Sequence, residues 1–118
     1  MLLVAHGSRV ADSNAEIERL AAQLAARLAP ELTVSHAFLE LAEPSIPEGI
    51  DGLARRGAER IVLIPYFLSA GQHVATDIPA LVDAARDRHP RLSIEMTGHF
   101  GAREQVAQIL SAMVTEKL

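Results

Sequence analysis

Short apolar runs alternate with segments of helical periodicity four times along these 118 residues, and that alternation restricts the fold more than any other feature. Leu2-Leu3-Val4-Ala5 reads as a first strand, ended by Gly7-Ser8. Ile17, Leu20, Ala21, Leu24 and Leu28 follow at the spacing of one helical face. Ser13 and Glu16 have the spacing of a capping box at its start, and Pro30 stops it. The pattern predicts a second strand over Leu32 to Leu39. A second helix follows, capped by Ser45 with Glu48, with Pro47 in its first turn, Ile50 and Leu53 inward and Gly57 at its end. Ile61-Val62-Leu63-Ile64 is uniformly apolar, as a buried parallel strand is. Asp77 is placed to cap a third helix, with Pro79 in its first turn, a stripe of Ile78, Leu81, Val82 and Ala85, and Pro90 closing it. Leu92 to Met96 is the fourth strand. A last helix from about Ala102 carries Val106, Ile109, Leu110, Met113 and Val114 on one face.

The order β-α-β-α-β-α-β-α predicts an α/β fold of three layers, a four-stranded parallel sheet with helices on both faces. Right-handed crossovers leave few topologies, and the flavodoxin-like order 2-1-3-4 is expected. Residues 1–118 read as a single domain. Four strands make a small sheet for this class, so a second copy is expected to complete an edge or a face.

Composition excludes several functions. The net charge is −4 with an isoelectric point near 5.7, which argues against a nucleic-acid binder. No apolar run approaches the roughly 18 residues of a membrane span. The apolar start stops at His6 with no basic segment before it, so it is not read as a secretory signal, and a cytoplasmic setting is expected. The absence of cysteine removes disulfides, thiolate zinc sites, cysteine-ligated iron–sulfur clusters and cysteine nucleophiles. Neither a phosphate-binding loop nor a dinucleotide fingerprint is present, so no nucleotide is expected.

Ligands of open α/β sheets bind beyond the carboxyl ends of the strands. His6-Gly7-Ser8-Arg9 follows the first strand, Glu40 to Ser45 the second, Tyr66 to His73 the third and Gly98 to Gly101 the fourth. His6, His73 and His99, three of five histidines, collect at this edge with all four aromatic residues, Phe38, Tyr66, Phe67 and Phe100. Such a concentration suits a flat, largely apolar ligand. The plain alternative is loop packing in a protein whose helices use alanine and leucine.

His6, Glu40 and His73 end three strands that are neighbours in the order 2-1-3. Two imidazoles and a carboxylate suit Co²⁺, Ni²⁺, Fe²⁺ or Zn²⁺, although a lone histidine after a strand is more often a loop residue. Gly7 permits a sharp turn, and Ser8 and Arg9 are placed to contact an anion. Glu43 before Pro44 decorates a turn. His36 reads as a packed or interface residue. His89 sits favourably at a helix end and is given no chemistry.

Three segments resemble the small sirohydrochlorin chelatases of the CbiX/SirB type. They are Val4-Ala5-His6-Gly7-Ser8-Arg9; Ala37-Phe38-Leu39-Glu40-Leu41-Ala42-Glu43-Pro44-Ser45; and Ile64-Pro65-Tyr66-Phe67-Leu68-Ser69-Ala70-Gly71-Gln72-His73-Val74 with Asp77-Ile78-Pro79. In order and with matching spacing they cover essentially the whole chain. The resemblance implies an ATP-independent chelatase with a flavodoxin-like half-fold, acting as a homodimer with a sirohydrochlorin-type tetrapyrrole between two rims. It implies that His6 and His73 bind metal and serve catalysis, and that Glu40 is a metal ligand, as its counterpart is in some members. The divalent metal is the substrate: cobalt on the cobalamin route, nickel or iron on others. His99 lies outside these motifs and takes no role.

Metal insertion must remove two pyrrole N–H protons, and a neutral imidazole can hold metal or take a proton near neutral pH. On this reading His6 and His73 hold the ion and accept protons, and Glu40 offsets its charge. Phe38, Tyr66 and Phe67 hold the macrocycle. Ser8, Arg9, Ser69, Gln72 and Arg103 are local donors for its carboxylates, which a net acidic chain does not steer. Phosphoryl transfer is a rival, weakened because Ala5 rather than arginine precedes His6. A non-catalytic metal or tetrapyrrole carrier and an accessory chelatase-derived domain are the others.

Overall fold

The four apolar runs pair as parallel strands in the order β2-β1-β3-β4, the topology expected. The strands are β1 (Leu2–Ala5), β2 (Ser35–Phe38), β3 (Arg60–Pro65) and β4 (Ser93–Met96). Between and after them run the helices α1 (Ala11–Arg27), α2 (Ile46–Arg55), α3 (Ile78–Arg88) and α4 (Gln105–Thr115). This computed structural model describes the backbone of residues 1–118 and every side chain except that of His73. No helix among the described residues is long and apolar enough to cross a membrane.

The main core lies on one face of the sheet. Leu2, Val4, Ile61, Leu63 and Ile94 point from the strands toward Ile46, Ile50 and Leu53 of α2 and Ile78, Val82 and Ala85 of α3, all buried. Each such side chain contributes about 1.5–3 kcal/mol when removed from water. The alternate strand residues Leu3, Ala5 and Phe38 are buried on the other face, where α1 runs, with Ala21 as its buried residue. Val62 and Ile64 share that face farther along and are only half-buried.

α2 begins as its sequence predicts. Ser45 Oγ accepts from the Glu48 amide at 3.3 Å and Glu48 Oε1 accepts from the Ser45 amide at 3.2 Å. Gly57 follows the helix end with φ of +90°.

Other details differ. The Ser13–Glu16 cap does not form, because α1 starts earlier, at Ala11, and places Ser13 inside its first turn. Helix entry is tied by Asn14 instead: its side chain accepts from the Ser8 amide at 3.0 Å and donates to the Ser8 carbonyl at 2.7 Å. β2 is shorter than predicted: its ladder with β1 runs from Ser35 to Phe38, and residues 32–34 precede it outside any strand. Asp77 makes no side-chain cap to α3: the π-helical turn His73–Asp77 leads into α3 and Asp77 is already helical, with φ −71° and ψ −44°. The last helix starts at Gln105, after a short 3₁₀ turn at Phe100–Ala102. Its predicted inward face is not buried: Ile109, Leu110, Met113 and Val114 are 50–61% exposed. An apolar stripe shows that a helix seeks a partner surface. It does not say that the surface lies in the same chain.

Candidate metal centre

His6 and Glu40 meet just past the carboxyl ends of β1 and β2. The strand pairing continues beyond the strands themselves: the Leu39 amide donates to the Ala5 carbonyl at 2.9 Å and the Glu40 amide to the His6 carbonyl at 3.0 Å. The two side chains then stand side by side, with His6 Nε2 3.1 Å from Glu40 Oε1. Gly7 makes the approach possible. It has φ of +96°, and a Cβ there would overlap the Glu40 carbonyl oxygen. Among the described residues no third histidine or carboxylate converges on the pair. The His73 side chain lies outside the described residues.

The hydrogen bonding of His6 limits its chemistry. Nδ1 lies 3.0 Å from the Gly7 carbonyl oxygen and Nε2 lies 3.1 Å from a carboxylate oxygen, both of which accept. A neutral ring has one N–H to give, so it donates to one of the two and leaves its other nitrogen as a lone pair. When the proton is on Nδ1, the Nε2 lone pair and the carboxylate face the same small space. At 3.1 Å apart, the two side-chain atoms are close enough to hold one ion together. The side chains remain 44% and 48% exposed, so an ion can reach them from solvent.

The first-strand loop is built around helix entry. Ser8 Oγ accepts from the Val10 amide at 3.0 Å, fixing the loop, while Arg9 is exposed. A groove of about 480 Å³ beside α1 is lined by Ser8, Arg9, Asn14, Leu41 and Glu43.

On the other side of the edge Tyr66 and Phe100 stack in a tilted pair with centroids 5.4 Å apart. Gly101 lies under Leu68, where a Cβ would overlap the Leu68 carbonyl oxygen, and its amide donates to the Phe67 carbonyl at 2.9 Å. Ser69 and Gln72 are exposed on the same loop, and Arg103 is exposed beyond the 3₁₀ turn.

Two of the aromatics do not form an open ligand face. Phe38 is 1% exposed and packs edge-on to His36 with centroids 5.6 Å apart; its alternation in β2 turns it under α1. Phe67 is half-buried against the main core. Aromatic content alone could not separate a wall from a support. The exposed apolar surface at this edge includes two leucines that the sequence reading passed over: Leu41 is 51% exposed with φ of +65°, and Leu68 is 77% exposed. Their signal was position, since each follows a strand end in a loop.

His36 and His89 make contacts within the fold, away from this pair. His36 Nε2 lies 3.7 Å from Glu18 Oε1 on α1. His89 Nε2 lies 2.7 Å from Asp51 Oδ1, tying the end of α3 to α2.

The sheet order reverses between β1 and β3, the switch point at which open α/β sheets bind ligands. A histidine–carboxylate pair stands beside that point of the open α/β sheet. The chain belongs to the CbiX family of sirohydrochlorin chelatases, whose family model it matches over residues 1–117. It is 32% identical over 111 residues to a chloroplastic sirohydrochlorin ferrochelatase of Arabidopsis thaliana, covering 94% of this chain and 49% of that protein. It is 32% identical over 119 residues to a sirohydrochlorin cobaltochelatase of Sulfurisphaera tokodaii, covering all of this chain and 92% of that one. The Bacillus subtilis chelatase SirB, solved with cobalt, superposes with a TM-score of 0.85 at 29% identity, over 98% of this chain and 49% of SirB. Against several relatives, then, the chain spans about half their length, and against others nearly all of it.

Proposed function

We propose that this chain inserts a divalent metal into a sirohydrochlorin-type tetrapyrrole without ATP, as one chelatase unit over residues 1–118 that works as a homodimer. Cobalt is the preferred metal, with nickel and iron as alternatives. The observation that carries the reading is the 3.1 Å pair of His6 Nε2 and Glu40 Oε1 at the carboxyl edge of the sheet.

The pair suits an exchange of cations. M²⁺ enters between Nε2 and the carboxylate, and His73 is its third ligand on the family resemblance. The ring gives up two N–H protons as the metal takes its four nitrogens. As the metal leaves the pair, one released proton passes to Nε2 or to the carboxylate. The other proton passes to His73 or to water. Charge balances: one dication enters the ring and two protons leave it. Tyr66, Leu41 and Leu68 present the apolar surface for the macrocycle, with Phe38 and Phe67 supporting it from behind. Ser8, Arg9, Ser69 and Gln72 are the donors for its carboxylates.

The test is anaerobic spectrophotometry of sirohydrochlorin with limiting protein and Co²⁺, Ni²⁺ or Fe²⁺ in turn, with spontaneous insertion subtracted. Many turnovers by the wild type, lost in His6→Ala and in His73→Ala, are expected. No rate above background with any metal would remove catalysis. Tight metal binding with stoichiometric transfer only would replace it with the carrier reading.

A further inference from the structure

α4 is a helix without a sheet, and β3 carries a sheet face without a helix. The sequence of α4, Gln105–Thr115, contains no charged residue, and among its described residues none is buried. A helix that faces water on all sides normally carries charge, and an apolar one is normally buried. The molecule is extended as a result. Its radius of gyration is 15.1 Å, against roughly 13.5 Å for a compact chain of this length.

The complementary surface lies beside α1. Parallel sheets are covered on both faces. Here α2 and α3 cover one face fully, whereas on the other α1 leaves Val62 and Ile64 of β3 half-exposed. Beside this strip a groove of about 260 Å³ is lined by Glu16, Ile17, Arg19, Leu20 and Gln23 of α1 and by Tyr66 just past β3. Charge borders the strip on both sides: Glu95 is the register partner of Val62 and lies 3.1 Å from Arg60, and α1 presents Glu16 and Arg19.

We infer that two copies of this chain exchange α4, each laying Ile109, Leu110, Met113 and Val114 over Val62 and Ile64 of the other, beside its α1. The same chain owns both the unpartnered helix and the unpartnered strip, so one two-fold axis satisfies both and closes the assembly. Exchange also doubles the helix surface buried. One helix about 16 Å long covers too little for a specific interface of about 800 Å² per partner, and the reciprocal pair is needed to approach it. The inference rests on the two-copy assembly proposed above and not on metal insertion. Because the groove ends at Tyr66, the exchanged helix lies next to the candidate site.

The chain has no cysteine, so engineered thiols report cleanly. Light scattering of the wild type is expected to give twice the 12.7 kDa chain mass. Leu110→Glu with Met113→Glu, both at exposed positions, is expected to halve that mass with the circular dichroism spectrum retained. Ile64→Cys with Met113→Cys is expected to give a covalent dimer on a non-reducing gel that neither single variant gives. A monomeric wild type, a dimer that survives the double glutamate variant, or a disulfide formed within one chain would each overturn the exchange. A dimer that cross-links as expected yet inserts no metal would leave it standing and remove only the catalytic reading.

Discussion

His6 and Glu40 are joined twice, once through the backbone, where the Glu40 amide donates to the His6 carbonyl at 3.0 Å, and once through side chains 3.1 Å apart. The first contact fixes the second, because the side chains leave two strand ends already in register. A site held this way binds an ion without ordering the chain at that moment.

Glu40→Gln therefore tests the metal centre directly. It keeps the shape and removes the charge. Co²⁺ affinity by titration calorimetry is expected to fall about tenfold or more, equivalent to about 1.4 kcal/mol. Glu40 is exposed, so the melting temperature is expected to move little. Unchanged Co²⁺ affinity would remove Glu40 from the ligand set.

Gly7→Ala is expected to damage fold and site together. The new Cβ meets the Glu40 carbonyl at a backbone angle of +96°. Urea denaturation is expected to show a loss of about 1–3 kcal/mol, with weakened metal binding in the fraction that folds. Wild-type stability in this variant would mean that the turn relaxes freely.

Ser45→Ala separates stability from the site. It removes the hydroxyl that accepts from the Glu48 amide, and the loss of such a cap costs about 1 kcal/mol. The same hydroxyl also hydrogen-bonds the Glu48 carboxylate and holds it below its ordinary value, with the Ser45 amide adding to this. Metal affinity is expected to be unchanged, as measured by the same calorimetry.

Asp51→Asn probes the α2–α3 clasp. The hydrogen bond from His89 holds the Asp51 carboxyl below its ordinary value of 3.8, Arg88 adds to this, and partial burial opposes it. A depressed carboxyl stabilises the fold while ionised. The contribution is complete above the ordinary value and fades as pH falls through the depressed one. Wild type is expected to exceed Asp51→Asn by about 0.5–1 kcal/mol at neutral pH, with the gap closing below pH 3.8. A gap that widens in acid would contradict the assignment.

Much of this was legible in the sequence because the signals were local. Strand runs, the Ser45–Glu48 box and the 2-1-3-4 order follow from periodicity, capping chemistry and crossover handedness. The same logic misplaced the start of α1, where Asn14 reaches back to Ser8 and Ser13 was the more obvious cap. It placed His6 and Glu40 together because adjacent parallel strands end side by side. It could not rank the aromatics, since whether Phe38 faces a ligand or α1 depends on the register of β2 against β1. Nor could it foresee that the stripe on α4 is left uncovered, because a stripe carries no address.

The Gly101 amide donates to the Phe67 carbonyl, and Phe100 leans on Tyr66. The loops after β3 and β4 are thereby stitched into one plate, while the loop carrying His6 is stitched to Glu40 and to Asn14 of α1. The edge of the sheet is thus a pair of jaws, each braced within itself and meeting at the β1–β3 seam. The bracing of the Tyr66 jaw is thus separate from that of the jaw carrying His6 and Glu40, so substitutions in one leave the hydrogen bonds of the other in place.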